Sequence, residues 1–306
     1  MKIYSGTSNA ELSDKIINLD KNNKLQIDKF SDGEILPRFN ESIRDEDIFF
    51  IQSMNTSDSI IETLLVIDAA KRAGVKSFTL VAPYICYSRQ DKTDHVRSSI
   101  GSKVIADMLE KVGMTRLITI DLHNSSIQGF YNTTVIHLNG NRIFTDYIKS
   151  LNLDNISICS PDHGAIKKNL DFARAFPNST FAVINKKRIK PNEIHSMELI
   201  GDVKGKNVIV VDDLADTLGT LKKASELIME SGALSVRAIA THGVLSGKAF
   251  ENLENSNLTE LVISDTIKIN QSSSKLKIIS CSMFISNAID RLLTKKSIND
   301  INIIEN

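Results

Sequence analysis

The stretch that most restricts what this chain can fold into runs from Val208 to Thr220 and reads Val-Ile-Val-Val-Asp-Asp-Leu-Ala-Asp-Thr-Leu-Gly-Thr. Val208 to Val211 form a short apolar run of the kind that makes a buried strand. Two like charges cannot be buried together without partners, so the run predicts a strand that stops at Asp212 and Asp213 and leaves both carboxylates at its carboxyl end. Asp216, Thr217, Gly219 and Thr220 then make a polar turn. Beyond it Leu221, Ala224, Leu227 and Ile228 recur at helical spacing, which predicts a helix over Gly219 to Glu230. A strand, an acidic pair, a polar turn and a helix together describe a ligand site at the edge of an α/β sheet.

The turn selects its ligand by charge. The first backbone N–H groups of a helix lack intrahelical partners and carry the positive end of the helix dipole, so they and the hydroxyls of Thr217 and Thr220 suit a phosphate. Asp212 and Asp213 repel a phosphate but accept from sugar hydroxyls or hold a divalent ion. The combination suits a sugar phosphate, while two adjacent aspartates on their own equally suit a solvated loop.

The 306 residues favour two domains of about 150 residues each. Lysines plus arginines balance aspartates plus glutamates at 37 each, which leaves no basic footprint for nucleic acid or an anionic membrane. Cys86, Cys159 and Cys281 are odd in number, far apart and set in apolar surroundings, as expected of core thiols in a reducing compartment. No apolar run approaches the roughly 18 residues of a membrane span, so the expectation is a soluble, cytoplasmic protein with no membrane partner.

Along the first half, Asp47 to Gln52, Phe78 to Ala82 and Leu117 to Ile120 read as strands. Between them fall a helix capped by Asp58 or Ser59, with Ile61, Leu64, Leu65 and Ala69 on one face, and a helix from Ile100 to Val112 closed by Gly113. This order favours a parallel sheet. The second half repeats the pattern, with strands expected at Ile156 to Cys159, Phe181 to Ile184, Val208 to Val211, Val236 to Ala240 and Leu261 to Ile263, and a last amphipathic helix at Cys281 to Leu293. The boundary is expected within Leu138 to Leu153, giving domains 1–143 and 144–306, with the last helix a candidate to pack back on the first domain.

Val-Val-Asp-Asp-x-x-Asp-Thr-x-Gly-Thr resembles the phosphoribosyl-binding loop of type I phosphoribosyltransferases and of the ribose-phosphate pyrophosphokinase family. Further motifs in the expected order, over about Ser5 to Ile289, favour the latter. Phe30-Ser-Asp-Gly-Glu34 is by itself a hairpin tip. The resemblance makes Asp32, Gly33 and Glu34 binders of the adenine end of ATP. Tyr84-Ile-Cys-Tyr-Ser-Arg-Gln-Asp91 carries the Arg89 and Gln90 pair that the family uses on ATP, with Ser88 in place of its alanine. Asp121-Leu-His123 followed by Ile127-Gln-Gly-Phe130 is similar to the family's divalent-cation signature. With Asp162 of Ser160-Pro-Asp-His-Gly164, it points to a magnesium site at His123 and Asp162. Asn185-Lys-Lys-Arg188, otherwise a solvated cluster of cations, matches the place of the family's catalytic lysine and arginine, expected on a mobile loop. The pair is then Lys186 and Arg188, with Arg188 also touching substrate.

The resemblance implies two type I phosphoribosyltransferase-like domains, each a mainly parallel sheet flanked by helices. It implies that the anomeric hydroxyl of ribose 5-phosphate takes the β,γ-diphosphoryl group of ATP to give phosphoribosyl pyrophosphate and AMP. Asp212 and Asp213 would bind the ribose hydroxyls, and Asp216, Thr217, Leu218, Gly219 and Thr220 the 5-phosphate. Leu218 stands where the family has glycine or alanine, and its side chain is expected to point outward harmlessly. Thr241 to Gly247 is expected to shape a loop near a subunit contact. A homo-oligomer, a hexamer built from dimers with the Asp32 to Glu34 hairpin reaching a neighbour, is implied by the same resemblance. Two alternatives stay open: a non-catalytic regulatory relative of such a synthetase, and a phosphoribosyltransferase.

Overall fold

The apolar runs are hydrogen-bonded into two separate, mainly parallel sheets in the computed structural model, which describes residues 1–16, 25–93, 95–190 and 193–302, with the side chains of 187–196 outside that description. One compact unit comprises Met1–Asn139 with Thr266–Lys268, the other Gly140–Asp265 with Ile269–Asn306.

The first unit holds β1 (Lys2–Ser5), the short helix α1 (Ala10–Ser13), β2 (Leu25–Lys29), β3 (Ile35–Phe39), β4 (Asp47–Ile51), α2 (Ser57–Arg72), β5 (Ser77–Ala82), α3 (Gly101–Val112), β6 (Arg116–Ile120) and β7 (Thr134–Leu138). Its main sheet runs β1-β4-β5-β6-β7 with every pair parallel, so all loops after these strands leave from one edge. Strands β2 and β3 form a separate antiparallel hairpin whose tip is Phe30 to Glu34, as its Asp-Gly pair predicts. Gly33 sits there at φ 98°, a region that L side chains avoid. The residues returning from the far end of the chain are tied in as well: Ser53 Oγ donates to the Thr266 carbonyl, and Lys268 pairs with Glu11 at 2.7 Å.

Helix α2 corrects two expectations. Its cap is Thr56, which exchanges reciprocal bonds with Ser59 (Ser59 N–H to Thr56 Oγ1 3.1 Å, Thr56 N–H to Ser59 Oγ 3.0 Å). Its buried face is Ile60, Thr63, Val66, Ile67 and Ala70, while Ile61 and Leu65 are 48% and 38% exposed. The two candidate apolar stripes differ by about one residue, and only the one that meets Phe50, Phe78 and Leu80 is covered.

The second unit holds α4 (Asn141–Ser150), β8 (Ile156–Ser160), α5 (Ile166–Ala173), β9 (Thr180–Lys190), β10 (Glu193–Ile200), β11 (Asn207–Ala215), α6 (Gly219–Glu230), β12 (Ser235–Gly243), α7 (Ala249–Glu254), β13 (Glu260–Ser264), β14 (Leu276–Ile279), α8 (Ser282–Leu293) and α9 (Asn299–Asn302). The strand order is β10-β9-β8-β11-β12-β13-β14, parallel except for β9 with β10. Alternate residues of β11 enter different cores. Val208 and Val210 pack with Leu221, Ala224 and Ile228 of α6, and Ile209 and Val211 with Phe144, Ile148 and Phe172 of α4 and α5. Both faces of the sheet are therefore covered, which explains why these strands read as unbroken apolar runs.

Two further expectations are corrected. Strand β11 does not stop at Asp212 but continues to Ala215, because β12 stays paired with it through Gly243 while the pairing with β8 ends at Val210. Residues 185–190 and 193–200, expected to be the close of a strand and a polar loop, pair as antiparallel strands, β9 running on to Lys190 against β10.

The burial pattern of α2 yields the first prediction. Ile67→Ala should destabilise the protein by about 2–5 kcal/mol and Ile61→Ala by less than about 0.5, read from chemical denaturation of the full chain. Equal losses would contradict the face assigned here.

Candidate active site

In the second unit the chain builds outward in one direction from β8 to β9 and β10, then returns to the other side of β8 to lay down β11 to β14. This reversal falls between β8 and β11, and in open α/β sheets the crevice beyond such strands is where ligands bind. Asp162 follows β8, and Asp212 and Asp213 lie on the part of β11 that β8 no longer covers. There the Val211 carbonyl, without a strand partner on that side, accepts from Asn169 Nδ2 at 2.8 Å, and the same amide donates to Ser160 Oγ at 3.1 Å. Asn169 on α5 thus closes the end of the sheet, a role with no signal in the sequence.

The carboxylates crowd one another. Asp212 is pushed up to about 8, first by burial, then by the charge of Asp213 and its hydrogen bond, then by Asp162; the positive charge of Lys186 works in the opposite direction. Lys186 also acts on the buried thiol of Cys159 against the burial that raises it, so its ammonium is felt at this edge of the sheet. One oxygen of Asp162 accepts the Ala165 N–H at 3.1 Å, and His163 Nε2 lies 3.1 Å from Asn185 Oδ1, which links the turn after β8 to β9. The backbone of Arg188 pairs with Ile194 where β9 runs against β10, and its side chain lies outside the described residues.

The turn after β11 is held from behind. Val244 and Leu245 both donate backbone N–H groups to the Ala215 carbonyl, at 2.8 and 3.1 Å. Ser246 Oγ donates to Asp216, and Asn252 Nδ2 donates to the Thr217 carbonyl at 2.8 Å. Thr241 to Gly247 therefore braces this turn within its own unit. Helix α6 begins at Gly219, and its first bonded amide is Lys222, which reaches the Leu218 carbonyl at 2.9 Å. The N–H groups of Leu218, Gly219, Thr220 and Leu221 have no hydrogen-bond partner among the described residues, and α6 has no side-chain cap. Unpartnered N–H groups at a helix start are groups that favour an anion.

Leu218 differs from expectation. Its φ is 60°, and its side chain is 4% exposed within the cluster of Ala215, Leu221, Ala249 and Leu253, so it points into the core and not outward. A non-glycine residue in this conformation costs about 1–3 kcal/mol and persists only where its surroundings hold it. The bulk of leucine is absorbed by the core and leaves the mouth of the turn clear.

In the first unit Arg89 and Gln90 lie in the turn after β5, and His123 follows β6, the neighbouring strand; all three are exposed. The two loops are joined by Asn124 Nδ2 donating to Asp91 at 2.9 Å. Gln90 rests on Gly101 at the start of α3, where any Cβ would meet its Oε1 at 2.5 Å. His137 on β7 accepts the backbone N–H of Leu122 at its Nε2, 2.9 Å away, and holds the Asp121-Leu122-His123 segment; sequence reading passed it over because it belongs to no recognised motif. The hairpin tip bearing Asp32, Gly33 and Glu34 is exposed, and its bonds stay local, with Glu34 N–H donating to Asp32 at 3.1 Å and Gly33 N–H to the Phe30 carbonyl at 3.0 Å.

Among the described residues no group of three His, Cys, Asp or Glu side chains is arranged to hold a metal by itself. A divalent cation that takes one or two carboxylates and completes its shell with water and substrate phosphates needs no such group. The mutual repulsion of Asp162, Asp212 and Asp213 is likewise relieved by positive charge.

Comparison with known proteins accords with this arrangement. A sequence model of the N-terminal domain of ribose phosphate pyrophosphokinase matches residues 1–113, and one of the phosphoribosyl synthetase-associated domain matches residues 148–302. The ribose-phosphate pyrophosphokinase of Porphyromonas gingivalis is 42% identical over 303 residues, covering 98% of this chain and 96% of that protein. That of Wolinella succinogenes is 40% identical, covering 98% of both. The crystal structure of phosphoribosylpyrophosphate synthetase from Mycobacterium smegmatis superposes with a TM-score of 0.88 at 31% identity, over 96% of this chain and 99% of that one. With likeness of this degree along nearly its whole length, the chain belongs to the ribose-phosphate pyrophosphokinase family.

Proposed function

We propose that this protein is a ribose-phosphate diphosphokinase: the anomeric hydroxyl of ribose 5-phosphate attacks the β-phosphorus of ATP, the bond from that phosphorus to the AMP oxygen breaks, and phosphoribosyl pyrophosphate and AMP leave. The observation that carries the reading is the pairing, in one unit, of unpartnered N–H groups at residues 218–221 with the half-buried carboxylates of Asp212 and Asp213. One set binds a phosphate and the other binds hydroxyls, which are the two ends of a pentose phosphate. Asp216, Thr217, Gly219 and Thr220 hold the 5-phosphate in this scheme, Leu218 contributing its N–H alone. Asp32, Gly33, Glu34, Arg89 and Gln90 take ATP, with guanidinium matched to phosphate oxygens.

Phosphoryl transfer asks little covalent work of a protein; positioning and neutralisation of the phosphate oxygens carry it. Lys186, whose charge is felt at Asp212, and Arg188 would supply positive charge to the group in transit. His123 and Asp162 would hold Mg2+, which when bound offsets the charge of the triphosphate. Asp212 keeps the ribose hydroxyls oriented, and positive charge at the site would favour its ionised form. Leu218, the departure from the family's pattern that would favour a non-catalytic relative, has its side chain buried in the core and so gives that reading no support.

Further parts of the reading concern setting. No helix among the described residues is long and apolar enough to cross a membrane, and Cys86, Cys159 and Cys281 are free thiols; the site proposed for the protein is the cytoplasm, which keeps thiols reduced. A homo-oligomer, hexameric from dimers, is part of the proposal, favoured by Phe30 and Leu36, 53% and 44% exposed on the β2–β3 hairpin.

Purified protein given ATP, Mg2+ and ribose 5-phosphate should release AMP in step with phosphoribosyl pyrophosphate. Lys186→Ala should slow turnover by roughly 10²–10³-fold or more while the melting temperature holds. An unchanged rate in the variant would remove Lys186 from the chemistry, and no AMP from the wild type would end the proposal.

The raised Asp212 also makes a stability prediction. Between the ordinary carboxylate value near 3.8 and about 8, the unfolded chain gives up this proton and the folded chain keeps it, so stability falls as pH rises through that window. Asn cannot ionise. Without substrate and with a chelator present, the melting temperature of Asp212→Asn should match wild type near pH 4 and exceed it increasingly towards pH 8; a difference independent of pH would contradict the assignment.

A further inference from the structure

The turn binds phosphate only if its peptides present N–H groups and not carbonyls, and one peptide stands out as unstable in that respect. A trans peptide is planar, with its C=O and N–H pointing in opposite directions. Among the described residues there are no cis bonds, and Asn252 Nδ2 holds the Thr217 carbonyl at 2.8 Å, towards α7. The N–H of Leu218, on the same peptide, is thereby turned away from α7, and like those of Gly219 and Thr220 it has no partner among the described residues.

Left alone, this peptide would turn over. Leu218 has φ 60° and ψ 5°, a left-handed conformation that penalises a leucine. Rotating the 217–218 peptide by half a turn changes ψ of Thr217 and φ of Leu218 together. It would carry Leu218 to negative φ and release the penalty. The same rotation would swing the Thr217 carbonyl to where the Leu218 N–H had been, replacing a donor to phosphate with an acceptor that repels it. Two features oppose the rotation. The leucine side chain is locked in the apolar cluster that includes Ala249 and Leu253 of α7, and Asn252, from the same helix, holds the carbonyl. Helix α7 is the clamp on both.

We propose that Asn252 is a positioning residue of the phosphate turn, holding the Thr217–Leu218 peptide against a flip that would turn a carbonyl towards the sugar phosphate. This rests on the reading of residues 216–220 as the sugar-phosphate site and adds a residue that no motif marks. Asn252 does not touch substrate; it acts through one peptide. Leu218 makes the clamp necessary, because glycine at this position would pay no penalty for positive φ.

The test is a double-mutant cycle read in steady-state kinetics. Asn252→Leu keeps the size of the side chain and loses the donor; it should raise KM for ribose 5-phosphate by about tenfold, while KM for ATP moves by less than about twofold. In a Leu218→Gly background the same substitution should raise the sugar-phosphate KM by less than about threefold over that background, because the flip no longer relieves strain. Should Asn252→Leu fail to fold, Asn252→Asp, which cannot donate and repels the carbonyl, carries the same expectations. Equal rises for both substrates, or equal effects of the Asn252 change in the two backgrounds, would overturn the proposal. Thr217→Val with Thr220→Val serves as control: if it leaves the sugar-phosphate KM unchanged, the reading of the turn falls and this inference with it. If it raises that KM and Asn252→Leu does not, this inference alone falls.

Discussion

Two adjacent carboxylates on a strand of a parallel sheet cannot both be desolvated and charged without a counter-charge, and the organisation of the second unit follows from how that conflict is managed. Val208 to Val211 are buried on both faces, yet the next two residues are Asp212 and Asp213. The sheet accommodates them by ending β8 early on one side and continuing β12 on the other, so that β11 stays paired while its acidic segment faces an open edge. Burial, with the charges of Asp213 and Asp162 added to it, still pushes Asp212 far above the usual carboxylate range. A site that holds charge at such cost is stabilised by what binds to it, and hydroxyls, a cation and the ammonium of Lys186 are the chemistries that answer it.

The same unit supplies the opposite charge a few residues on. After Ala215 the chain turns, and the start of α6 offers free N–H groups to an anion. Within one strand-turn-helix the chain thus places a pair of carboxylates beside unpartnered N–H groups, the arrangement on which the proposed sugar-phosphate site rests. Neither end is held by its own residues alone. Asn169 closes the end of β11, Ser246 and Asn252 fasten the turn, and in the first unit His137 fastens the loop before His123. Each is a side chain from one element bonded to the backbone or carboxylate of another, the kind of support that keeps a binding loop in one geometry.

The central strands and α6 were readable in the sequence because burial on both faces leaves unbroken apolar runs and a covered helix face leaves a 3.6-residue period. Helix α6 occupies Gly219–Glu230 as its spacing indicates, and the Asp-Gly tip forms the hairpin turn it signals. Edge strands were not readable. The strands β7, β10 and β14 each have one neighbour and mixed polar sequences, so Thr134–Leu138, Glu193–Ile200 and Leu276–Ile279 carry no strong pattern. The face of α2 was misjudged by one residue because Ile60 and Ile61 are both apolar and only tertiary packing decides between them. Leu218 was misread for a related reason: φ is set by the packing of its side chain against α7, and no local preference of leucine announces it. The motif residues of the site were visible as motifs, whereas their supports, Asn169, Asn252 and His137, became visible only when contacts far apart in sequence were formed.

A crystal structure of the protein with ribose 5-phosphate and a divalent ion tests the central claim most directly, because the claim concerns the orientation of one small molecule. The account places the phosphate within hydrogen-bonding distance of the N–H groups of residues 218–221 and the hydroxyls of Thr217 and Thr220, with the ring hydroxyls towards Asp212 and Asp213. Electron density for the sugar lying elsewhere, or a phosphate that leaves those N–H groups unpaired, would contradict it.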